Sequence, residues 1–287
     1  MTNTRVFDSN KLSTNIDTAI RLGGHNIASL PPNFPMKIAK DIVKKYNINN
    51  NWYDFSCGWG VRLICAMSLG VNYYGTDPNY LLTERLEQLS NDYKDNIGLS
   101  TIIDIRTQGS ECFIPEWENK MGLAFSSPPY FDLEDYVIGK QSYNKNTSYE
   151  AWKANYLKPT LNNIYKYLIN DGILAFNIKN GKTYKLADDT KELADECGFQ
   201  LVNIELLTNN QRITSSGLIN NAENIFIFKK KESNINISVP TIETQPVACD
   251  PIEDDTEEQS VKTNNDSIEV AVADVLDIYL IGVKSKK

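Results

Sequence analysis

Residues 51–79 read NWYDFSCGWGVRLICAMSLGVNYYGTDPN, and this stretch decides the fold. The run from Trp52 to Ser56 predicts a strand, residues 60–70 an apolar helix closed by Gly70, and residues 72–77 a second strand. Gly58 and Gly60 lie where the chain turns from strand into helix. Glycine tolerates the positive φ of such a turn and lets a ligand approach the backbone, while the first amides of the helix lack partners within it. Asp77 closes the second strand, and a carboxylate about 20 residues after the glycine turn is placed to accept hydrogen bonds from ribose hydroxyls. Strand, glycine turn, helix, strand and acid together predict a site for a nucleoside cofactor.

The pattern continues outward on both sides. Upstream, Pro35 opens a helix through Tyr46 in which Ile38, Ile42 and Val43 share a face and Lys44 and Lys45 sit at the end that favours positive charge. Downstream, a helix over residues 81–94 is followed by strands at 101–108, 123–129, 172–178, 199–207 and 223–231, with helices at 149–170 and 190–197 between them. The last two strands have no helix between them and predict an antiparallel pair. The expected architecture is an α/β fold with a seven-stranded, mostly parallel sheet ending in an antiparallel hairpin. Gly109-Ser110-Glu111 follows the third strand, and there a small polar turn could meet an adenine ring.

Ser127-Pro128-Pro129-Tyr130 follows the fourth strand. Two prolines stiffen the backbone, remove amide donors and leave carbonyl acceptors at the carboxyl edge of the sheet, where open α/β folds bind ligands. Such a turn suits a planar amino group: Ser127 Oγ and the Pro128 carbonyl can take its two hydrogens, and the Tyr130 ring offers a surface on which an extruded base stacks.

Composition narrows the chemistry. No apolar run approaches the roughly 20 residues that cross a bilayer, and the first residues lack the basic-then-apolar layout of a secretory leader, so a cytoplasmic protein is expected. The five cysteines are widely spaced without a Cys-x-x-Cys pair and read as reduced thiols; with a single histidine, His25, neither a zinc site nor a histidine-dependent triad is expected. The formal charge of −8 is unevenly spread. From Glu232 onward there are twelve acidic and four basic residues, whereas residues 1–231 hold 25 of each sign. Nucleic-acid contacts must therefore come from local basic patches. The expected organisation is one catalytic domain over residues 1–231, an acidic linker without regular structure over 232–267 and a short apolar segment over 268–287.

The series DFSCGWG, GTDPN and SSPPYF resembles the amino-methylating DNA methyltransferases, which combine a glycine-rich cofactor loop, an acid after the second strand and an [S/D/N]-P-P-[Y/F] tetrapeptide after the fourth. The likeness spans roughly residues 27–230 and is nearest to compact phage or mobile-element members. It implies a class I, Rossmann-like methyltransferase fold and S-adenosylmethionine as cofactor, held by Phe55, Ser56, Gly58, Gly60, Asp77 and Ser110. Asn33 and Phe34, in Pro32-Asn33-Phe34-Pro35, are similar to the element that closes over the methionine end of the cofactor. Ser127, Pro128, Pro129 and Tyr130 become the target-base pocket and DNA, double- or single-stranded, the substrate. Serine at the head of the tetrapeptide leans toward cytosine N4 over adenine N6.

Two loops are long enough to contact DNA. Residues 131–152 carry Lys140 and Lys145 with three tyrosines, and residues 208–222 carry Arg212. RNA or a protein glutamine amide presents a similar NH₂. Other readings are an inactive methyltransferase fold that binds nucleic acid, or a protein partner through its acidic tail, and, third, a nicotinamide-dependent oxidoreductase, for which the proton-transfer dyad is lacking.

Overall fold

The computed structural model describes residues 34–98, 100–131, 146, 148–181, 183–206 and 224–231, all within one compact unit, Asn33–Glu253. The expectations for Asn33, His25, Lys140, Lys145, Arg212 and the segments beyond 231 lie outside these residues.

Seven strands form one sheet: β1 (Asn51–Asp54), β2 (Asn72–Asp77), β3 (Ile103–Thr107), β4 (Met121–Ser126), β5 (Leu168–Ile178), β6 (Phe199–Leu206) and β7 (Asn224–Lys230). Their spatial order is β3-β2-β1-β4-β5-β7-β6. Neighbours among β1 to β5 run parallel, while β7 is inserted antiparallel between β5 and β6. This is the seven-stranded, mostly parallel sheet with an antiparallel terminal pair that the sequence predicts, and the direction of winding reverses between β1 and β4. Ligands of open α/β sheets bind at such a reversal, beyond the carboxyl ends of the strands.

Side chains alternate across the strands and build two cores. On one face Trp52 stacks on Phe125 at 5.7 Å and donates its indole N–H to the Phe125 carbonyl at 2.9 Å. Helices α1 (Met36–Tyr46) and α2 (Val61–Leu69) bury Ala39, Ile42, Val43 and Leu63. The opposite core holds Tyr53, Phe55, Trp117, Trp152, Tyr156, Leu161 and Tyr167. Helix α3 (Tyr80–Ile97) starts at Asn79, whose side chain accepts the Leu82 amide at 3.4 Å.

The structure departs furthest from the sequence reading over residues 149–171. The helix expected over 149–170 is broken into α4 (Tyr149–Trp152), a π-helical turn (Lys153–Leu157) and α5 (Lys158–Tyr167). Pro159, in the first turn of α5, cannot donate a helical hydrogen bond, and the wider turn absorbs the loss. Leu168-Ile169-Asn170 belong to β5 rather than to the helix, because Leu168 pairs with Met121 and the amides of Asn119 and Lys120 bond to the carbonyls of Lys166 and Tyr167. After an irregularity at Asp171, where φ is 63°, the strand resumes at Ile173. A final helix, α6 (Leu186–Glu196), covers the second core. Cys57, Cys65 and Cys197 are free. No helix of the described residues is long and apolar enough to cross a membrane.

Candidate active site

The glycine loop leaves β1 at Asp54 and enters α2 at Val61. Gly58 and Gly60 adopt φ of 51° and 78°, the left-handed region that disfavours side chains. Gly60 is also pressed against its surroundings, since a Cβ there would lie 2.4 Å from Leu86 Cδ2. The loop is tied to β2 through the Cys57 amide, which donates to the Thr76 carbonyl at 3.1 Å, and through the Gly58 amide, which donates to Asp77 Oδ2 at 3.1 Å. Asp77 Oδ1 accepts the Asn79 amide at 3.0 Å. The predicted loop and acid therefore form one unit. Burial pushes the Asp77 carboxyl up to about 6, against the lowering by these two amides; the Asp54 carboxylate adds to the rise and Arg62 opposes it.

Ser110 is buried, with its hydroxyl 2.9 Å from Thr160 Oγ1 and its carbonyl accepting from Asn163 Nδ2 at 3.0 Å. Its side chain is thus anchored to α5. Tyr156, on the π-helical turn, is buried, and burial pushes that phenol well above its usual range, partly offset by the hydroxyls of Ser110 and Ser56. Sequence reasoning did not single out Tyr156; the proline three residues later is the only sequence sign of the distorted turn that presents it. Ser56, Gly58, Trp59, Asp77 and Glu111 are partly exposed around this wall. A carboxylate that burial discourages from ionising, beside free loop edges and hydroxyls, fits a cofactor with ribose hydroxyls to donate and an amino acid end to be held. Phe34 packs edge-on against Phe125 at 5.5 Å, on the flank of this loop.

The tetrapeptide emerges from β4 beside the glycine loop. Ser126, fully buried at the end of the strand, lies with its hydroxyl 3.3 Å from the Ser56 carbonyl. Ser127 donates its hydroxyl to Asn177 Oδ1 at 3.2 Å, and Asn177 Nδ2 donates in turn to the Asn224 carbonyl at 3.3 Å. Pro128 is buried and Pro129 partly so. Tyr130 differs from the open stacking surface expected: it is 7% exposed, belongs to the second core and has Lys179 Nζ 5.9 Å from its ring centroid.

Beneath both loops lies a buried ion pair that the sequence reading passed over. Arg62 Nε donates to Asp54 Oδ2 at 2.8 Å, and the same oxygen accepts the Tyr73 hydroxyl at 2.7 Å. Arg62 Nη2 donates to the Ser56 carbonyl and, at 3.2 Å, to Ser126 Oγ. A lone arginine inside the apolar helix VRLICAMSL is the signal that could have exposed it. The Cys57 thiol is fully buried and pushed well above its ordinary range by burial, which disfavours the nucleophilic thiolate. Among the described residues no cluster of three or more histidine, cysteine or carboxylate groups could hold a metal.

The fold matches a TehB-like S-adenosylmethionine-dependent methyltransferase from Corynebacterium glutamicum, at 15% identity over 77% of this chain and 97% of that one, with a TM-score of 0.46. It also matches a methyltransferase of the same dependence from Methanosarcina mazei, at 12% identity over 71% and 99%, with a TM-score of 0.44. No curated protein sequence matches the chain. The sequence pattern of the N6/N4 methyltransferases, described as DNA methylase, matches residues 121–284, more than half of the length and including the whole tetrapeptide. The chain belongs to this N6/N4 DNA methylase family, whose methyl donor is S-adenosylmethionine.

Proposed function

We propose that the protein transfers a methyl group from S-adenosylmethionine to the exocyclic amino nitrogen of a base extruded from DNA, with cytosine N4 favoured over adenine N6. The observation that carries this reading is the adjacency of the two loops: the acceptor tetrapeptide begins one residue after Ser126, whose hydroxyl meets the carbonyl of Ser56 in the cofactor loop. Pro128 and Pro129 have no amide hydrogen, so the tetrapeptide offers acceptors to a donor group. The Ser127 hydroxyl spends its hydrogen on Asn177, which leaves its lone pairs for an incoming N–H.

S-adenosylmethionine, when bound, supplies a methyl group made electrophilic by its sulfonium. Asp77, Ser56 and Gly58 would hold it, with Ser110 and Tyr156 as the adjoining wall. Ser127 and the Pro128 carbonyl would accept hydrogen bonds from the two amino hydrogens and turn the nitrogen lone pair toward the methyl; as the new N–C bond forms the sulfonium S–C bond breaks, the thioether product leaves and the surplus proton on nitrogen passes to water. Positioning supplies the rate, with no covalent enzyme intermediate. Stacking of the extruded base on Tyr130 requires Lys179 to move aside from its ring. Serine at the head of the tetrapeptide supports the cytosine preference.

The test is transfer of labelled methyl to unmethylated duplex and single-stranded DNA, followed by digestion to nucleosides and mass spectrometry. N4-methylcytosine is the expected product. N6-methyladenine would keep the chemistry and change the base, while no product from either DNA would overturn the substrate assignment and direct the search to RNA or a glutamine amide.

A further inference from the structure

We infer that Arg62 is a positioning residue that holds the acceptor tetrapeptide in register with the cofactor loop; this rests on the amino-methyl transfer proposed above. Arg62 is 6% exposed in the first turn of an otherwise apolar helix, a costly place for a guanidinium. Packing alone would be served as well by an apolar side chain of similar volume, since buried ion pairs gain little over such replacements. What an apolar side chain cannot do is bridge. The guanidinium makes one bond to Asp54 at 2.8 Å and two more through Nη2, to the Ser56 carbonyl and to Ser126 Oγ at 3.2 Å. Ser126 Oγ closes the triangle by donating to the same Ser56 carbonyl at 3.3 Å.

Each partner of the guanidinium belongs to a different part of the site. Asp54 ends β1, Ser56 lies in the loop that would carry the methyl donor, and Ser126 is the last residue of β4 before the tetrapeptide. Asp54 fixes the guanidinium from behind and is itself fixed by the Tyr73 hydroxyl at 2.7 Å. A planar fork with donors at set angles transmits that placement to both loops, which a flexible lysine ammonium does not. Arg62 is not assigned a contact with either substrate. It acts by setting the separation between donor and acceptor, a quantity to which transfer is steep: a misplacement of about 1 Å can cost about 100-fold in rate.

The test uses the full chain with Ser126→Ala, which cuts the link to β4 and leaves the Asp54–Arg62 pair intact, Ser126→Thr, which restores a hydroxyl, and Arg62→Lys. Ser126→Ala should lower kcat about 10-fold and Arg62→Lys about 100-fold. For Ser126→Ala, the Kd for S-adenosylmethionine and the KM for DNA should stay within about twofold of wild type, and Ser126→Thr should recover most of the rate. A readout independent of turnover is hydrogen exchange with S-adenosylhomocysteine added. In the wild type, both the glycine loop and the peptide around 123–131 should gain protection, and in Ser126→Ala only the glycine loop. Wild-type kcat in Ser126→Ala, undiminished protection of 123–131 in that variant, or a rate loss matched by an equal loss of cofactor affinity would each overturn the inference. A wild-type chain that methylates no DNA would instead refute the substrate reading, and the exchange data would still decide the linkage.

Discussion

Asp77 sits between what the folded chain imposes and what a nucleoside cofactor needs. Burial raises its carboxyl to about 6, although the Gly58 and Asn79 amides pull the other way. The folded, ligand-free chain therefore holds a proton there between 3.8 and about 6 that the unfolded chain has lost. Stability contributed by the protonated form falls as pH rises through that window. Under the proposed site, ribose hydroxyls would donate to the carboxylate, so cofactor binding should release the proton. Calorimetry should find the affinity for S-adenosylmethionine level above pH 7 and about tenfold weaker at pH 5. Asp77→Asn should bind weakly at both and show no such slope; a slope kept in that variant would assign it to another group. For the acceptor loop, Ser127→Ala and Tyr130→Ala should each lower methyl transfer at least about 100-fold while cofactor affinity changes little. Full transfer in both variants would remove the tetrapeptide from the mechanism. At this scale the sequence exposed the residues whose type is unusual for their place, Gly58, Gly60, Asp77 and the paired prolines. It hid Asn177, Ser126 and Tyr156, because a polar residue in an apolar strand or a tyrosine in a helix acquires a role only from neighbours far away along the chain.

Among the elements, the strand–turn–helix around the glycine loop was the most legible, because its signals are local. Glycines mark the turn, an apolar run marks α2, and Gly70 ends it in the left-handed conformation with φ of 66°. The second half of the chain was less so. The start of β5 depends on pairing with β4, and that pairing overrode the helical pattern that runs on through Leu168. The break before α5 was legible in Pro159, yet the π-helical turn that resolves it depends on packing within the second core. Gly60 lets the elements themselves be tested. It joins β1 to α2 at φ of 78° and lies where a Cβ would run into Leu86 of α3, which is fully buried. Gly60→Ala thus combines a left-handed penalty of about 1–2 kcal/mol with overpacking of about 1–3 kcal/mol. A loss of about 2–5 kcal/mol in unfolding free energy is expected, together with at least about tenfold weaker cofactor binding, because relief of the clash must move the loop or α3. Denaturant unfolding and calorimetry on the same preparation would check both. An unchanged unfolding midpoint would show that the loop relaxes freely around residue 60.

For the molecule as a whole, the question is how a chain of net charge −8 works on a polyanion. Residues 1–231 are balanced, and the surplus of eight negative charges lies from Glu232 onward. Under the DNA reading, that charge opposes association through the same screened field that basic patches exploit. Its influence reaches about 30 Å at 0.01 M salt and about 8 Å at 0.15 M. Neutralising Glu243, Asp250, Glu253, Asp254, Asp255, Glu257 and Glu258 to the corresponding amides removes seven negative charges without shortening the chain. At low ionic strength the variant should show a several-fold lower KM for DNA, with kcat unchanged, and the difference should shrink toward nothing at 0.15 M and above. Steady-state kinetics across a salt series, wild type beside variant, would measure it. Equal KM values at low salt would mean that the acidic stretch stays out of reach of the DNA path. Its charge would then be better accounted for by a basic protein partner, and the neutralised variant could be compared with the wild type for binding to such a surface.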